Sequence, residues 1–407
     1  MAQDPQDLYA AMRAQHGPVV PVELTGGVPA WLVVGYREAA QVLRDGYLFS
    51  RDSRLWRFSR DGLVPQGWPL EPHTAWRPNV LFAEREEHVR LRGALTRSFK
   101  NVGLGHVGRF AAKAGNELID GFCLDGHADL VAQYAAPLPL KVLMRLFGFP
   151  PATTTWLQAA IPALLEGGDS AREADAQIMD IIAGHVARRR AESGADLVAW
   201  LVEDEAELSD DEVRDQVWLT LNAGMPATSN WIANTAEQLM SRRGMHLGVN
   251  SGYMDIQGAM KATLWQRPPV ENVIGRWAVS DVELGGTMIR AGDMVILSLG
   301  AANLSDHCGA DGKPIPRDSY TDHNESHLAF GAGRHECPVP DLARLITRVA
   351  VESLWTRLPD VHLSDPEQPR DWGPSIIVRA LRTLPVSFGA VRASADAQVA
   401  SARAGGH

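Results

Sequence analysis

Phe330-Gly331-Ala332-Gly333-Arg334-His335-Glu336-Cys337 is the most chemically specific stretch of the chain. Its two glycines let the backbone take positive φ or approach a large flat partner closely. Cys337 closes the segment, and a helix is predicted to follow over Leu342 to Leu358. The positive end of that helix and its free N–H groups favour a thiolate. A thiolate on a tight loop before a helix is a good axial metal ligand. Local chemistry leaves a second reading open, a glycine-rich turn that buries an inert cysteine. The other cysteines, Cys123 and Cys308, lie far off and form no CxxC pair. Neither a disulfide framework nor a cysteine-rich zinc site is indicated, and a reduced, cytoplasmic setting fits.

Composition narrows the classes. Of 407 residues, 45% are hydrophobic and 22% charged, an ordinary globular balance. Lys and Arg number 39 against 49 Asp and Glu, a net charge of −10, which argues against nucleic-acid binding. No apolar run reaches the roughly 20 residues that a membrane span requires. The start, Met1-Ala2-Gln3-Asp4-Pro5, lacks the basic and apolar regions of a signal peptide. Trp, at 12 residues, outnumbers Phe and Tyr; most are expected in the core, with a few left for an aromatic-lined pocket.

No repeat or linker divides the chain, so residues 1–407 are expected to form one domain with a frayed tail from 390 to 407. Val28 to Gly35 reads as a strand and Tyr36 to Arg44 as a helix. Asp52 to Pro78, rich in Trp, Pro, Gly and Arg, reads as a long functional loop. Helical periodicity runs over Glu84 to Lys100, over Asp129 to Phe147, and in two stretches between Thr153 and Arg190. Ser209 with Glu212 forms a capping box that opens a long helix over Asp210 to about Met240. Gly224 and Pro226 lie near its middle, where the proline predicts a kink. After Pro268-Pro269 the pattern changes: Trp277 to Gly286 reads as a hairpin, Asp293 to Leu299 as a strand, and Asn303 to Ser326 as a polar loop. The fold class is mainly α with a minor β region.

The FGAGRHEC segment resembles the signature of the cytochrome P-450 family, Phe-Gly-x-Gly-x-[His/Arg]-x-Cys. His327-Leu328-Ala329 before it and Leu342-Ala343-Arg344 after it are similar to the bacterial version. His88-Val-Arg-Leu-Arg92 resembles the family's His-x-x-x-Arg helix; i,i+4 spacing puts both side chains on one face. Pro268-Pro269-Val270 with Arg276, Ala302-Asn303, and Leu384-Pro385-Val386 resemble further ordered family segments. The resemblance covers nearly the whole chain and implies a triangular heme-thiolate fold around one heme b, with O2 as co-substrate. It implies Cys337 as the metal ligand, with Phe330, Gly331 and Gly333 forming its loop. It also implies that His88, Arg92, Arg276 and His335 neutralise the heme propionates, and that a ferredoxin and ferredoxin reductase supply electrons.

Three departures stand out. Glu-x-x-Arg before the Pro-Pro pair is replaced by Ala262 and Trp265, as in a small actinobacterial branch to which this chain is similar. The arginine usually contacted by that pair is also missing, since the stretch reads Asp322-His323-Asn324. Losing the whole set costs less than losing one member, because a lone buried charge is heavily penalised. Trp265 is expected to fill the volume. Second, Cys-x-Gly becomes Cys337-Pro338-Val339, which removes one N–H near the sulfur and should shift the iron potential downward. Third, the acid and alcohol positions of the central helix are Pro226 and Ala227. The nearest alcohols, Thr228 and Ser229, fall one and two residues on and so point elsewhere. Thr228, ordered water or the substrate must then supply protons, with Thr228 the candidate catalytic side chain.

These residues imply a soluble, monomeric oxidoreductase of secondary metabolism that takes a small-molecule substrate. Monooxygenation of a medium-sized, aromatic natural product is the leading expectation. Oxidative C–C or C–N coupling of a substrate such as a cyclodipeptide is the alternative, and a heme-binding protein without turnover is the rival class. Pocket walls are expected from the Asp52–Pro78 loop, the Glu166–Ala171 connection, Asn222 to Ala227, Val270 to Ile274 and Ser375 to Val378. Candidate substrate contacts are Gln66, Asn222, Met225, Ala227, Val270, Asn272, Ile274 and Ile376.

Overall fold

A computed structural model describes residues 5–157, 168–241, 256–305 and 324–391, with backbone alone for 168–172. The Glu166–Ala171 wall, Cys308, Asp322, His323, most of the Asn303–Ser326 loop and most of the 390–407 tail therefore lie outside the described residues or side chains.

The polypeptide is helix-rich, with the sheet confined to small edges. The capping box forms as the sequence requires: Glu212 N donates to Ser209 Oγ at 3.2 Å and Ser209 N to Glu212 Oε2 at 2.8 Å. From it the helix Asp210–Ser241 runs unbroken through Pro226. The expected kink does not interrupt it. The carbonyl of Asn222 loses its usual amide partner to the proline, and Ser229 Oγ donates to the Met225 carbonyl at 2.8 Å nearby. Helices Arg85–Lys100, Pro137–Leu146, Gly168–Ala191 and Leu197–Val202 share one apolar cluster with this long helix. Along its C-terminal half, Leu104–Asp120, Ile256–Gln266 and Pro340–Arg357 share a second cluster with it.

The Asp129–Phe147 segment divides differently from its periodicity. Strand His127–Asp129 is followed by a π-turn over Val131–Ala135, and the helix proper begins at Pro137. Proline at the first helical position needs no N–H partner and so sets the boundary. The 52–78 loop contains short helical turns at Ser53–Leu55, Arg57–Arg60 and Glu71–Thr74.

In chain order the strands are β1 Val19–Leu24, β2 Val28–Val33, β3 Phe49–Ser50, β4 His127–Asp129, β5 Asn272–Ala278, β6 Val282–Leu284, β7 Thr287–Ile289, β8 Met294–Ser298, β9 His362–Leu363 and β10 Pro385–Ser387. The largest sheet has the order β1-β2-β8-β5-β3. β1 and β2 pair antiparallel with Val19 opposite Val33, while β2 runs parallel to β8. The expected hairpin is displaced to β6–β7, because β5 is committed to β8 and the tight turn falls on Gly285 and Gly286, at φ 56 and 79.

One irregularity bears on the site. The β5–β8 register slips between Val273 and Arg276, and Gly275 there takes φ 87. A Cβ at Gly275 would lie 2.9 Å from the Trp277 ring. The bulge re-aims Arg276 into the protein, where it is 1% exposed.

Candidate functional site

The cysteine loop is a double turn. Gly331 N donates to Leu328 O at 2.8 Å, Glu336 N to Gly333 O at 3.0 Å and Cys337 N to Phe330 O at 2.8 Å. Gly331 and Gly333 have φ 72 and 73, the conformation their presence predicts. The close approach at Gly333 is to the chain itself: a Cβ would lie 2.6 Å from the Leu43 carbonyl, at the end of helix Tyr36–Arg44. Burial pushes the Cys337 thiol up, opposed by the Val339 backbone N–H and by Arg92 and Arg344. Pro338 has removed its own N–H, but Val339 still donates toward the sulfur.

Behind the loop, Trp265 is fully buried, as the missing ion pair requires. Its Nε1 donates to the Asn324 carbonyl at 3.1 Å and its ring meets His327 edge-on at 5.8 Å. A neutral hydrogen bond and ring contact occupy the region where the departed charges stood. His327 is driven down to about 4 by burial, so it packs as a neutral ring.

A buried cationic cradle flanks the loop. His88 and His335 stack edge-on at 4.5 Å. Arg276 enters from β5, and Arg92 Nη1 donates to the Glu336 carbonyl at 2.7 Å, tying its helix to the cysteine loop. The structure adds three residues that sequence reasoning missed. Arg51 is buried and donates to Ile274 O at 2.6 Å. Arg334 lies 3.6 Å from Glu84 Oε2. Glu84 sits between them. Only Glu84 had a legible signal, its place one helical turn before His88; Arg51 and Arg334 come in through tertiary contacts.

Electrostatics show how crowded this cradle is. Burial and then Arg276 bring Arg51 down to about 9. Burial brings Arg276 down to about 10, with Arg334 adding to the effect. His335 falls to about 3 and His88 also falls, both chiefly through burial.

Whether this site suits a porphyrin can be asked of its atoms. The Nε atoms of Arg51 and Arg276 and the Nε2 atoms of His88 and His335 are buried without a hydrogen-bond partner. Three guanidiniums, on Arg51, Arg276 and Arg334, gather around one carboxylate, Glu84, and a fourth, Arg92, is held against the cysteine loop. The surplus of donors and positive charge matches the two carboxylates of a heme b. Opposite the loop, Ala223 is exposed and Gly224 to Ala227 half-exposed, between the buried Leu221 and Thr228. Trp231, one turn beyond Ala227, meets Phe330 at 5.7 Å, so that helix face is turned toward the cysteine loop.

The other sequence-predicted positions fall into two groups. Val270 bridges Val378, and Asn272 Nδ2 donates to Ile376 O at 2.5 Å, so the Val270–Ile274 and Ser375–Val378 walls are one unit. Ile274 and Ile376 pack with Trp56, Trp68, Trp76 and Trp277. Gln66 lines a cavity of about 390 Å³ together with Trp56, Trp76, Arg54, Glu71 and Thr74. Asn222 and Met225 lie on the long helix, where Asn222 Nδ2 bonds its own Trp218 carbonyl and Met225 packs into the helical core. A Cβ at Gly224 would lie 3.6 Å from Leu143 Cδ1, an ordinary contact. Thr228 is 6% exposed and outside the accessible turn.

No family model matches the chain. Curated relatives do. It is 33% identical over 401 residues to the cytochrome P450 monooxygenase PikC of Streptomyces venezuelae, covering 95% of this chain and 92% of that one. It is 32% identical over 378 residues to a mycinamicin IV hydroxylase/epoxidase of Micromonospora griseorubida, covering 91% and 92%. Among solved structures, CYP154C4 from Streptomyces sp. W2061 superposes with a TM-score of 0.84 at 26% identity, covering 95% of this chain and 97% of that one.

Proposed function

Because the chain belongs to the cytochrome P-450 family, as an oxidoreductase that carries heme b and uses O2, we propose that it monooxygenates a medium-sized, aromatic natural-product intermediate. The carrying observation is the aromatic wall at the 390 Å³ cavity, where Trp56 and Trp76 stand beside the polar anchor Gln66. The edges of these indoles give the wall apolar surface, with Arg54 lying 4.6 Å over the Trp76 ring and Trp56 packed on Trp68, and one amide would fix a substrate's orientation. Ile274 and Ile376 continue that apolar wall toward Val270 and Asn272. Asn222, Met225 and Ala227 would form the opposite side. Two of the relatives named above are a monooxygenase and a hydroxylase/epoxidase by name, which supports oxygen insertion.

In this reading the heme supplies O2 activation, with Cys337 as its thiolate ligand. Val339 N–H steadies the sulfur, and Phe330, Gly331 and Gly333 hold the loop in its double turn. His88, Arg92, Arg276 and His335 neutralise the propionates. A ferredoxin and its reductase supply electrons to the whole chain, 1–407, acting as one monomeric unit in the cytoplasm. Among the described residues no helix is long and apolar enough to cross a membrane.

One observation favours a second reading. The accessible turn presents Ala223, Gly224, Pro226 and Ala227 but no acid or alcohol, and Thr228 is buried. A substrate with its own N–H or O–H near the iron makes a protein proton relay unnecessary, and such substrates couple oxidatively. Type I spectral shifts against cyclodipeptides, flavonoids, macrolides and fatty acids test the substrate class; a response confined to fatty acids rejects it. Product mass under labelled O2 then separates the readings. One labelled oxygen means insertion, and loss of two hydrogens without label means coupling.

A further inference from the structure

Glu84 occupies the N-cap position of helix Arg85–Lys100, where a side chain ordinarily satisfies free backbone N–H groups. It makes no such bond. The next residue, Arg85, is held at φ 53, a left-handed conformation that residues with a Cβ adopt only at a cost. What the chain gains by this lies on the other side of Glu84. Its Oε1 accepts from Arg51 N at 2.6 Å and from Ser50 Oγ at 3.2 Å, and lies 3.4 Å from His335 Nε2. Its Oε2 lies 3.6 Å from Arg334 Nη1 and has no hydrogen bond. The side chain is 15% exposed, and Arg276 acts on it electrostatically. Burial alone would raise its carboxyl, yet His335, the Arg51 amide and Arg276 hold it at about 2, so it is an anion.

We propose that Glu84 is a positioning residue of the cofactor cradle, a third carboxylate that shares Arg334, Arg276 and His335 with the heme propionates, lowers the iron midpoint potential and loosens heme retention. A fixed negative charge beside the porphyrin favours the more positive ferric state, which sets the sign for the potential. Every guanidinium held by Glu84 is held less fully by a propionate, which sets the sign for retention. The proposal rests on family membership and is independent of the substrate assignment.

The test uses the heme-loaded full chain. Glu84→Gln keeps an oxygen to accept the Arg51 N–H and removes only the charge. Its midpoint potential should move positive, and hemin transfer to excess apomyoglobin should slow by about tenfold. Glu84→Asp keeps the charge and should restore the parent potential. An unchanged potential in Glu84→Gln, or hemin release as fast as or faster than the parent's, overturns the proposal. Should Glu84→Gln fail to fold, Arg334→Met reports on the same pair. It leaves Glu84 without its guanidinium and should shift the potential negative; a potential equal to the parent's overturns the proposal equally.

Discussion

The two walls of the site are built on opposite principles. The cysteine side is dense with charge: four guanidiniums, two imidazoles and a buried carboxylate, drawn from at least four separate chain segments. The opposing turn, Asn222 to Ser229, comes from one helix and contains no titratable group. Burial first, and then neighbouring guanidiniums, lower Arg51 and Arg276, and the Glu84 carboxylate offsets part of the cost. The turn asks for nothing ionic. The lesson is that the charged side is assembled from many remote segments, whereas the facing turn differs at two positions of one helix, Pro226 and Ala227, which carry neither acid nor alcohol.

The most severe way to break the charged side is Cys337→Ser. It should abolish the red-shifted Soret band of the ferrous-CO complex, and turnover with it. Retention of that band would mean that another residue binds the metal. Next in size is Trp265→Ala, which empties a fully buried indole site behind the loop. It should destabilise the fold by about 3–5 kcal/mol in urea unfolding. Restoring the ion pair through Ala262→Glu with Trp265→Arg should leave heme content no higher, since the region it would contact reads Asp322-His323-Asn324. A large gain would refute compensation by Trp265.

Arg276→Ala removes one buried propionate donor and should weaken hemin binding about 10- to 100-fold, as loss of one or two charge-assisted bonds implies. Titration of apoprotein with hemin measures it.

The contrast also sets a pH dependence. His335 and His327 have folded values of about 3 and 4 against an ordinary 6.5, so below 6.5 the unfolded chain binds protons first. Their stabilisation is complete above that value and drains away as pH falls toward 4. Unfolding free energies from urea titration should drop over that window by roughly 3 kcal/mol per ring, and His327→Gln should remove its share. The turn, without titratable groups, contributes nothing to this slope.

The smallest expected effect sharpens the comparison from the other side. Ala227 shares the Trp231 face, so Ala227→Thr puts an alcohol where the relay is missing. Coupled turnover should rise by less than about tenfold, short of the full general-acid contribution, because the acid position remains Pro226. Peroxide yield per electron pair is the measurement, and an unchanged yield would show that the relay is not limiting.

Much of this was legible in residue order alone. The FGAGRHEC segment, His88 with Arg92 and Arg276 carried the metal ligand and half of the cradle, because ligand spacing and i,i+4 faces are local properties. Helix Tyr36–Arg44 and the Ser209–Glu212 box were local for the same reason. The displaced β6–β7 hairpin was not, because β5 had already been claimed by β8, a partner outside its own hairpin. Nor were Arg51 and Arg334, which join the cradle only through the packing of the first strands, the bulge at Gly275 and the contact of helix Tyr36–Arg44 with Gly333. The inward turn of Glu84 is also tertiary: sequence places it only at the start of a helical stretch, and only the gathered cations make a carboxylate more stable facing away from its own helix. Sequence thus determined the cysteine loop and the residues His88, Arg92 and Arg276 proposed to hold the cofactor, since that chemistry follows from residue type and spacing. Tertiary structure decided how their charges balance, since electrostatic energy depends on distances between segments that are remote along the chain.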